Sequence, residues 1–179
     1  GSVTPTNRII QVTNTAATTF TMAISDSGAA DGITKTGVGT LYLNGANTFT
    51  GTNVVSAGRL AGSGSVAGPV IVQTNGAIGG GSAASIGTFT VNGDLTLNTG
   101  GNVFIRVNRQ LAQSNDVISV NGALSHTGVG IVTVTNIGPA ATVVAGNTFK
   151  IFNKAVTGGD TLTISGLGLT WTNNLAVDG

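Results

Sequence analysis

Four times in this chain a strand-like residue runs into Asn-Gly and out into another short run: Leu43-Asn44-Gly45-Ala46-Asn47, Thr74-Asn75-Gly76-Ala77-Ile78, Val91-Asn92-Gly93-Asp94-Leu95 and Val120-Asn121-Gly122-Ala123-Leu124. Asn and Gly tolerate positive φ most readily, so each unit marks a sharp change of chain direction. Between these units, short runs alternate apolar residues with Thr, Ser or Asn, the period of a half-buried strand. Such runs are Thr40 to Leu43, Val70 to Val72, Thr88 to Val91, Leu95 to Leu97, Val103 to Val107, Val117 to Val120, Ile131 to Val134, Phe149 to Phe152 and Leu162 to Ile164. No long window carries apolar residues at three-and-four spacing, so the chain is expected to be all-β with almost no helix.

Composition narrows the function. A chain of 179 residues with 40% apolar residues can bury about 70% of its unfolded surface, so one domain suffices. Seven Lys and Arg oppose six Asp, Glu is absent, and the net charge is +1; no basic footprint for nucleic acid is present. Val, Ile, Leu and Phe recur throughout, which argues against disorder. With no Cys, neither disulfides nor thiolate metal sites can hold the fold. No run approaches the roughly 18 apolar residues of a membrane span, and the N-terminus shows no basic region followed by an apolar core. Gly1-Ser2 reads as a cloning scar and Val177-Asp178-Gly179 ends without an obvious terminator, so the sequence is expected to be a segment of a longer polypeptide.

The Asn-Gly units also fit two-residue hairpins in an antiparallel sandwich. Many of the strands are too short for a stable hairpin, however, but suit a stack in which each coil pairs with those above and below it. A second signal points the same way. Lys35-Thr36-Gly37-x-Gly39-Thr40-Leu41 is followed by Leu43 through Gly51 and then by Val54-Val55-Ser56-Ala57-Gly58 before Leu60. This order closely resembles the passenger-associated transport repeat, also called the autotransporter-associated β-strand repeat, of large secreted or surface-displayed bacterial proteins. Ile86 to Leu97, Asp116 to Leu124, Gly146 to Phe152 and Gly168 to Gly179 resemble the β-helical and closing segments that accompany such repeats. The resemblance implies a right-handed single-stranded parallel β-helix, or β-solenoid, with terminal caps. It also implies a non-enzymatic stalk at the cell surface or secreted, with neighbouring domains of the same polypeptide as partners and a part in its own export.

On this reading residues 1–25 form an N-terminal strand or cap, 26–166 the coils including the signature repeat 32–60, and 167–179 a closing segment. Leu41, Leu43, Val54, Phe89, Val91, Leu95, Leu97, Val103, Ile105, Val107, Ile118, Val120 and Leu124 are expected to point inward, each worth about 1.5–3 kcal/mol when fully buried. Gly62 to Gly68 and Gly79 to Ser85 read as protruding loops. The turns rest on Asn44, Gly45, Asn75, Gly76, Asn92, Gly93, Asn121 and Gly122.

The equipment for catalysis is sparse. Asp26, Asp31, Asp94, Asp116, Asp160 and Asp178 are scattered and read as turn residues capping their own backbone, whereas a hydrolase needs carboxylates grouped in a cleft. His126 reads as an exposed turn histidine, and alone it cannot build a metal site. Arg106 and Arg109 near Asp116 lack the carboxylates of a calcium-dependent lyase; Arg106 is expected on the outer face of its strand and Arg109 in the next loop. Asp26 with Asp31 is too thin an oxygen set for calcium. No cofactor or metal is expected. The alternative to a stalk is a carbohydrate-binding module, for which Tyr42 and Trp171 offer the amphipathic rings: Tyr42 facing outward, Trp171 a plug over the last coil. Threonine pairs at Thr19/Thr21, Thr48/Thr50/Thr52, Thr88/Thr90, Thr133/Thr135 and Thr161/Thr163 would order water only if they aligned, and their unequal spacing favours ordinary strand propensity. A monomer is expected in isolation.

Overall fold

The computed structural model describes residues 7–13, 15, 17–26 and 28–179. Its strands follow one another in coils. The first coil holds β1 (Arg8–Gln11) and β2 (Thr18–Phe20); the second β3 (Ile33–Thr36), β4 (Thr40–Leu43) and β5 (Ala46–Asn47); the third β6 (Asn53–Val55), β7 (Gly58–Ala61) and β8 (Ser65–Val66). The fourth holds β9 (Val70–Val72), β10 (Gly76–Gly79) and β11 (Thr88–Val91), and the fifth β12 (Leu95–Leu97), β13 (Asn102–Val107) and β14 (Val117–Val120). A sixth adds β15 (Leu124–His126) and β16 (Gly130–Asn136), and β17 (Leu162–Ser165) follows. Among the described residues the only helical pieces are two single 3-10 turns, Ala140–Thr142 and Gly159–Thr161.

Every pair of strands is parallel, and each joins a strand to its counterpart one coil away. One sheet stacks β1-β3-β6-β9-β12-β15, a second β17-β16-β13-β10-β7-β4-β2, and a third β14-β11-β8-β5. The chain is therefore a three-sided parallel β-solenoid, and the hairpin reading of the Asn-Gly units falls. Coils advance by 17 residues where Asn53 pairs with Val70 and by 29 where Leu95 pairs with Leu124. The extra residues of the longer coils go into corners, such as the exposed Ala83–Ser85 bend and Arg109–Gln113.

Alternation explains the interior. In β11, β12 and β14 alternate residues are fully buried, and Phe89, Val91, Leu95, Leu97, Ile118 and Val120 meet in one continuous core with Leu41, Leu43, Val103, Ile105, Val107 and Leu124. Val54 departs from expectation. It is half-buried while Val55 is fully buried, because Asn53 takes the preceding inward position and fixes the phase of β6. The Gly62 to Gly68 stretch is likewise not a loop: β8 lies in it, and Val66 is fully buried as the third side's share of that coil. Of Gly79 to Ser85, Gly79 ends β10, Gly80 and Gly81 are buried, and Gly81 bridges Gly62, so the turn proper is shorter than the sequence implied. Phe149 to Phe152 forms no strand either. Phe152 makes one parallel bridge to Ile118, while the N–H groups of both Ile151 and Phe152 donate to the Gly179 carbonyl at 2.9 Å.

The described part of the N-terminal segment continues the ladders: β1 pairs with β3, β2 with β4, and Ile9 and Met22 stand 73% and 79% exposed; residues 1–6 of the expected N-terminal cap lie outside the described residues. At the other end the last residues double back under the final coil. Besides the Gly179 bonds, Val156 N–H donates to Leu175 O at 2.7 Å, the Asn173 amide spans Gly159 O and Leu162 O, and Leu175 is buried. These bonds tie the closing segment to the 151–159 stretch and to the start of β17.

The phase of β6 is testable by paired substitution. Val54→Asp should shift stability by under about 0.5 kcal/mol, as surface changes do, whereas Val55→Asp places an unpaired carboxylate in the core and should abolish cooperative unfolding in a urea titration.

Candidate functional site

The four Asn-Gly units lie at corners, but their chemistry is not the expected one. Among the four asparagines only Asn75 takes positive φ, at 70°, and none of the four glycines does. The glycines are needed for space. A Cβ at Gly45, Gly76, Gly93 or Gly122 would fall 2.5, 2.3, 2.6 and 2.3 Å from atoms of the adjoining coil or corner. The asparagine at one corner reaches the one above it, Asn121 Nδ2 donating to Asn92 Oδ1 at 2.8 Å, and Asn44 Oδ1 accepts from Ser63 N–H.

Other asparagines, not singled out from the sequence, bind coil to coil inside the walls. Asn47 accepts from Ile24 N–H and donates to Gly45 O and Ser65 O; Asn53 accepts from Ile33 N–H and donates to Gly51 O and Pro69 O. Both are buried with donors and acceptor satisfied, so each side-chain amide replaces a peptide group where a strand begins or ends. The signal available was their position next to strand termini inside the repeat.

Lys35 is the least expected residue of the interior. It points inward from β3, fully buried, and its ammonium donates to Thr36 O at 2.7 Å, Gly37 O at 2.7 Å and Ala57 O at 3.0 Å. Three donors meet three carbonyls, which satisfies the group without a counter-ion. Burial lowers its pKa from the usual lysine value. The lysine clamps the β3–β4 corner onto the corner of the next coil.

Arg106 and Asp116 form the second buried charge centre. Arg106 does stand on the outer face of β13, yet it is 8% exposed, covered by the 80–87 segment. Its Nε donates to Asp116 Oδ2 at 2.7 Å, its Nη2 to Asp116 Oδ1 at 3.0 Å, and the same Nη2 reaches Gly80 O and Ser85 O. Asp116 also accepts from the N–H groups of Arg106 and Gly87. It is therefore not a turn residue capping its own backbone, but the anchor of a long corner. Arg109 sits in the exposed loop beyond. Asp26 is a surface acid that caps the neighbouring coil, accepting from Thr50 N–H and Oγ1; these bonds lower its pKa. Asp31 pairs with Arg8 at 3.7 Å, and Asp94 accepts from Ala123 N–H.

His126 is not exposed. It closes β15 on the inward side, 4% accessible, with Nδ1 against Thr161 Oγ1 at 2.9 Å and Gly158 O at 3.2 Å. Its position opposite Leu97 in the ladder, rather than its place at a strand end, decides its burial. Among the described residues no three His, Cys, Asp or Glu side chains converge where an ion could sit.

The two aromatic candidates are far apart in the stack. Tyr42 leaves β4 on the outer face but is 5% exposed; Arg59 donates to its hydroxyl at 3.1 Å, and the guanidinium lies 5.9 Å from its ring and 4.1 Å from that of Phe104. Trp171 is half-buried in the closing segment, tilted against Phe149 at 6.3 Å, and its Nε1–H is taken by Gly166 O at 3.0 Å. It lines a cleft of about 380 Å³ whose floor is the inner face of β13 and β16. Thr88 and Thr90 pair with Val117 and Ser119, Thr133 with Phe104 and Ser165, and Thr135 with Arg106, so these threonines do not stack on one another; Thr74, Thr99 and Thr127 do follow one another at one corner, Thr74 Oγ1 donating to Thr99 O at 2.8 Å and Thr99 Oγ1 to Thr127 O at 3.2 Å.

Residues 33–61 run from β3 through β7, one full coil and the first two sides of the next, and contain both halves of the Lys35–Ala57 and Asn53–Ile33 contacts. That segment matches the family model described as the passenger-associated-transport-repeat. The passenger-associated-transport-repeat is a structural unit of autotransporter passengers and not a catalytic family. No curated protein matches the chain. No helix among the described residues is long and apolar enough to cross a membrane.

Two charge-centre predictions follow from these contacts. Lys35→Met leaves the Gly37 and Ala57 carbonyls without a donor and should cost about 1–3 kcal/mol at neutral pH. Because the folded protein holds the lysine pKa below the unfolded value of 10.5, the folded state sheds that proton first. Wild-type stability should therefore gain a contribution as pH rises from the folded pKa to 10.5, and the gain should be missing from the Lys35→Met curve in denaturant titrations at stepped pH. Asp116→Asn keeps the shape but strands the Arg106 charge, and should cost about 3–5 kcal/mol by urea unfolding.

Proposed function

We propose that this chain is a non-enzymatic stalk segment of a large bacterial protein that is secreted or displayed at the cell surface, extending and presenting neighbouring domains of the same polypeptide. The carrying observation is the uninterrupted parallel stack, which contains the segment matched by the passenger-associated-transport-repeat and is closed at its C-terminal end by the chain's own last residues. A solenoid transmits force and distance along its axis because each coil touches only its neighbours. The charged residues support the same reading: Lys35, Arg106 and Asp116 are spent on holding corners together, which leaves no grouped acid and base for hydrolysis. The closed end suits a second role, in which the last coils fold first and give the remainder a template during export.

A surface-display experiment tests this. An epitope placed N-terminal to residues 1–179, ahead of an autotransporter translocator, should be reached by antibody on intact cells. Leu175→Asp, which disrupts the closing segment, should reduce display at least several-fold. Equal display from the native segment and Leu175→Asp would contradict the export role. Release of reducing or unsaturated sugars from plant, algal or bacterial polysaccharides by the purified chain would contradict the stalk.

A further inference from the structure

Every Asn-Gly unit sets an electrophile beside a nucleophile. The side-chain amide carbon of the asparagine can be attacked by the main-chain nitrogen of the following residue, closing a five-membered ring, and glycine obstructs that closure least because it has no Cβ.

The fold treats its four units differently. Gly76 N–H donates to Gln73 O at 2.8 Å and Gly122 N–H to Gly93 O at 3.2 Å, so at these two corners the nitrogen is held in a hydrogen bond. Among the described residues the N–H groups of Gly45 and Gly93 meet no acceptor. The asparagines divide as well. Asn92 Oδ1 accepts from Asn121 Nδ2 at 2.8 Å and Asn44 Oδ1 from Ser63 N–H at 3.1 Å, whereas the side-chain oxygens of Asn75 and Asn121 accept from no described group. A donor on this oxygen draws charge from the amide carbon and already points where negative charge develops when a nucleophile adds. A free glycine nitrogen, a donor on the amide oxygen and an exposed side chain coincide at Asn92; Asn44 shares the first two but is half-buried.

We propose that Asn92-Gly93 is a site of spontaneous deamidation, promoted by the Asn121 amide of the adjoining coil. Hydroxide removes the Gly93 N–H proton, the nitrogen adds to Asn92 Cγ, and charge gathers on Oδ1 under the Asn121 donor. The Cγ–Nδ2 bond then breaks, Nδ2 takes a proton from water and leaves as ammonia, and a cyclic imide remains. Water adds to either imide carbonyl. Scission of the nitrogen bond to Cγ gives aspartate; scission of the bond to the Asn92 main-chain carbon gives isoaspartate. Either product lowers the net charge by one. The isoaspartyl product also lengthens a closely packed corner, where a Cβ on Gly93 would fall 2.6 Å from Pro69 N and the Gly93 carbonyl accepts from Gly122 N–H. The site is independent of the stalk reading.

Ageing the full chain in mildly alkaline buffer made with heavy-oxygen water, followed by peptide mapping by mass, tests this. Asn92 should take up the carboxyl label several-fold faster than Asn44, Asn75 or Asn121, and an isoaspartyl-specific methyltransferase should mark the same peptide. In urea, where no corner is held, the four units should convert at similar rates. Asn121→Ala, at an exposed position, should slow labelling of Asn92 several-fold and leave Asn44 unchanged, whereas mere loosening of that corner would quicken it. A lead by any of the other three units, the same preference for Asn92 in urea, no label at Asn92, or undiminished labelling of Asn92 in Asn121→Ala would each overturn the proposal.

Discussion

The backbone ladder between successive coils is the interaction on which everything else in this molecule rests. Strands of two to seven residues are too short to persist alone or as hairpins. They hold because each is paired along its edge with the counterpart one coil away, and because Phe89, Val91, Leu95, Leu97 and their neighbours bury fully behind it. That ladder demands that successive corners approach one another to backbone contact. Glycine at Gly45, Gly93 and Gly122 meets this demand by removing a Cβ that would collide, and asparagine by supplying an amide in place of a missing peptide bond.

Buried charge serves the same end. Lys35 and the Arg106–Asp116 pair each gather carbonyl or N–H groups from two coils or from a long corner, and each is satisfied by several bonds. A buried charge with all its partners in place costs little and fixes one arrangement, whereas removing one partner is expensive. Three of the protein's few ionisable residues are thus placed where they lock corners. At the C-terminal end Asn173 ties the closing segment to Leu162 at the start of β17, and β1 extends the first sheet by pairing with β3.

Much of this was legible in the residues. Period-two alternation locates β4, β9, β11, β12 and β14 to the residue, and the repeat motif resolves the ambiguity between hairpin and coil that Asn-Gly leaves open. What escaped has a common cause. Val54, Gly62 to Gly68, His126 and Lys35 were misjudged or overlooked because their burial is decided by the coil above or below, some 17 to 29 residues away in sequence. Local pattern cannot show that Asn53 sets the phase of β6, that Val66 supplies the third wall, or that Leu97 carries His126 inward. Tyr42 illustrates the same limit, since Arg59 of the next coil takes up its hydroxyl.

The central claim is that chain neighbours in space are separated by a whole coil and run in one direction. Because the chain has no native cysteine, crosslinking tests it directly. Ile71, Thr96 and Ser125 stand opposite one another on three successive coils, so Ile71→Cys/Thr96→Cys and Thr96→Cys/Ser125→Cys should each form an intramolecular disulfide under mild oxidation with the melting transition preserved. Failure of both pairs, together with crosslinking of Phe89→Cys/Thr96→Cys as a hairpin about Asn92-Gly93 requires, would contradict the solenoid and the role built on it.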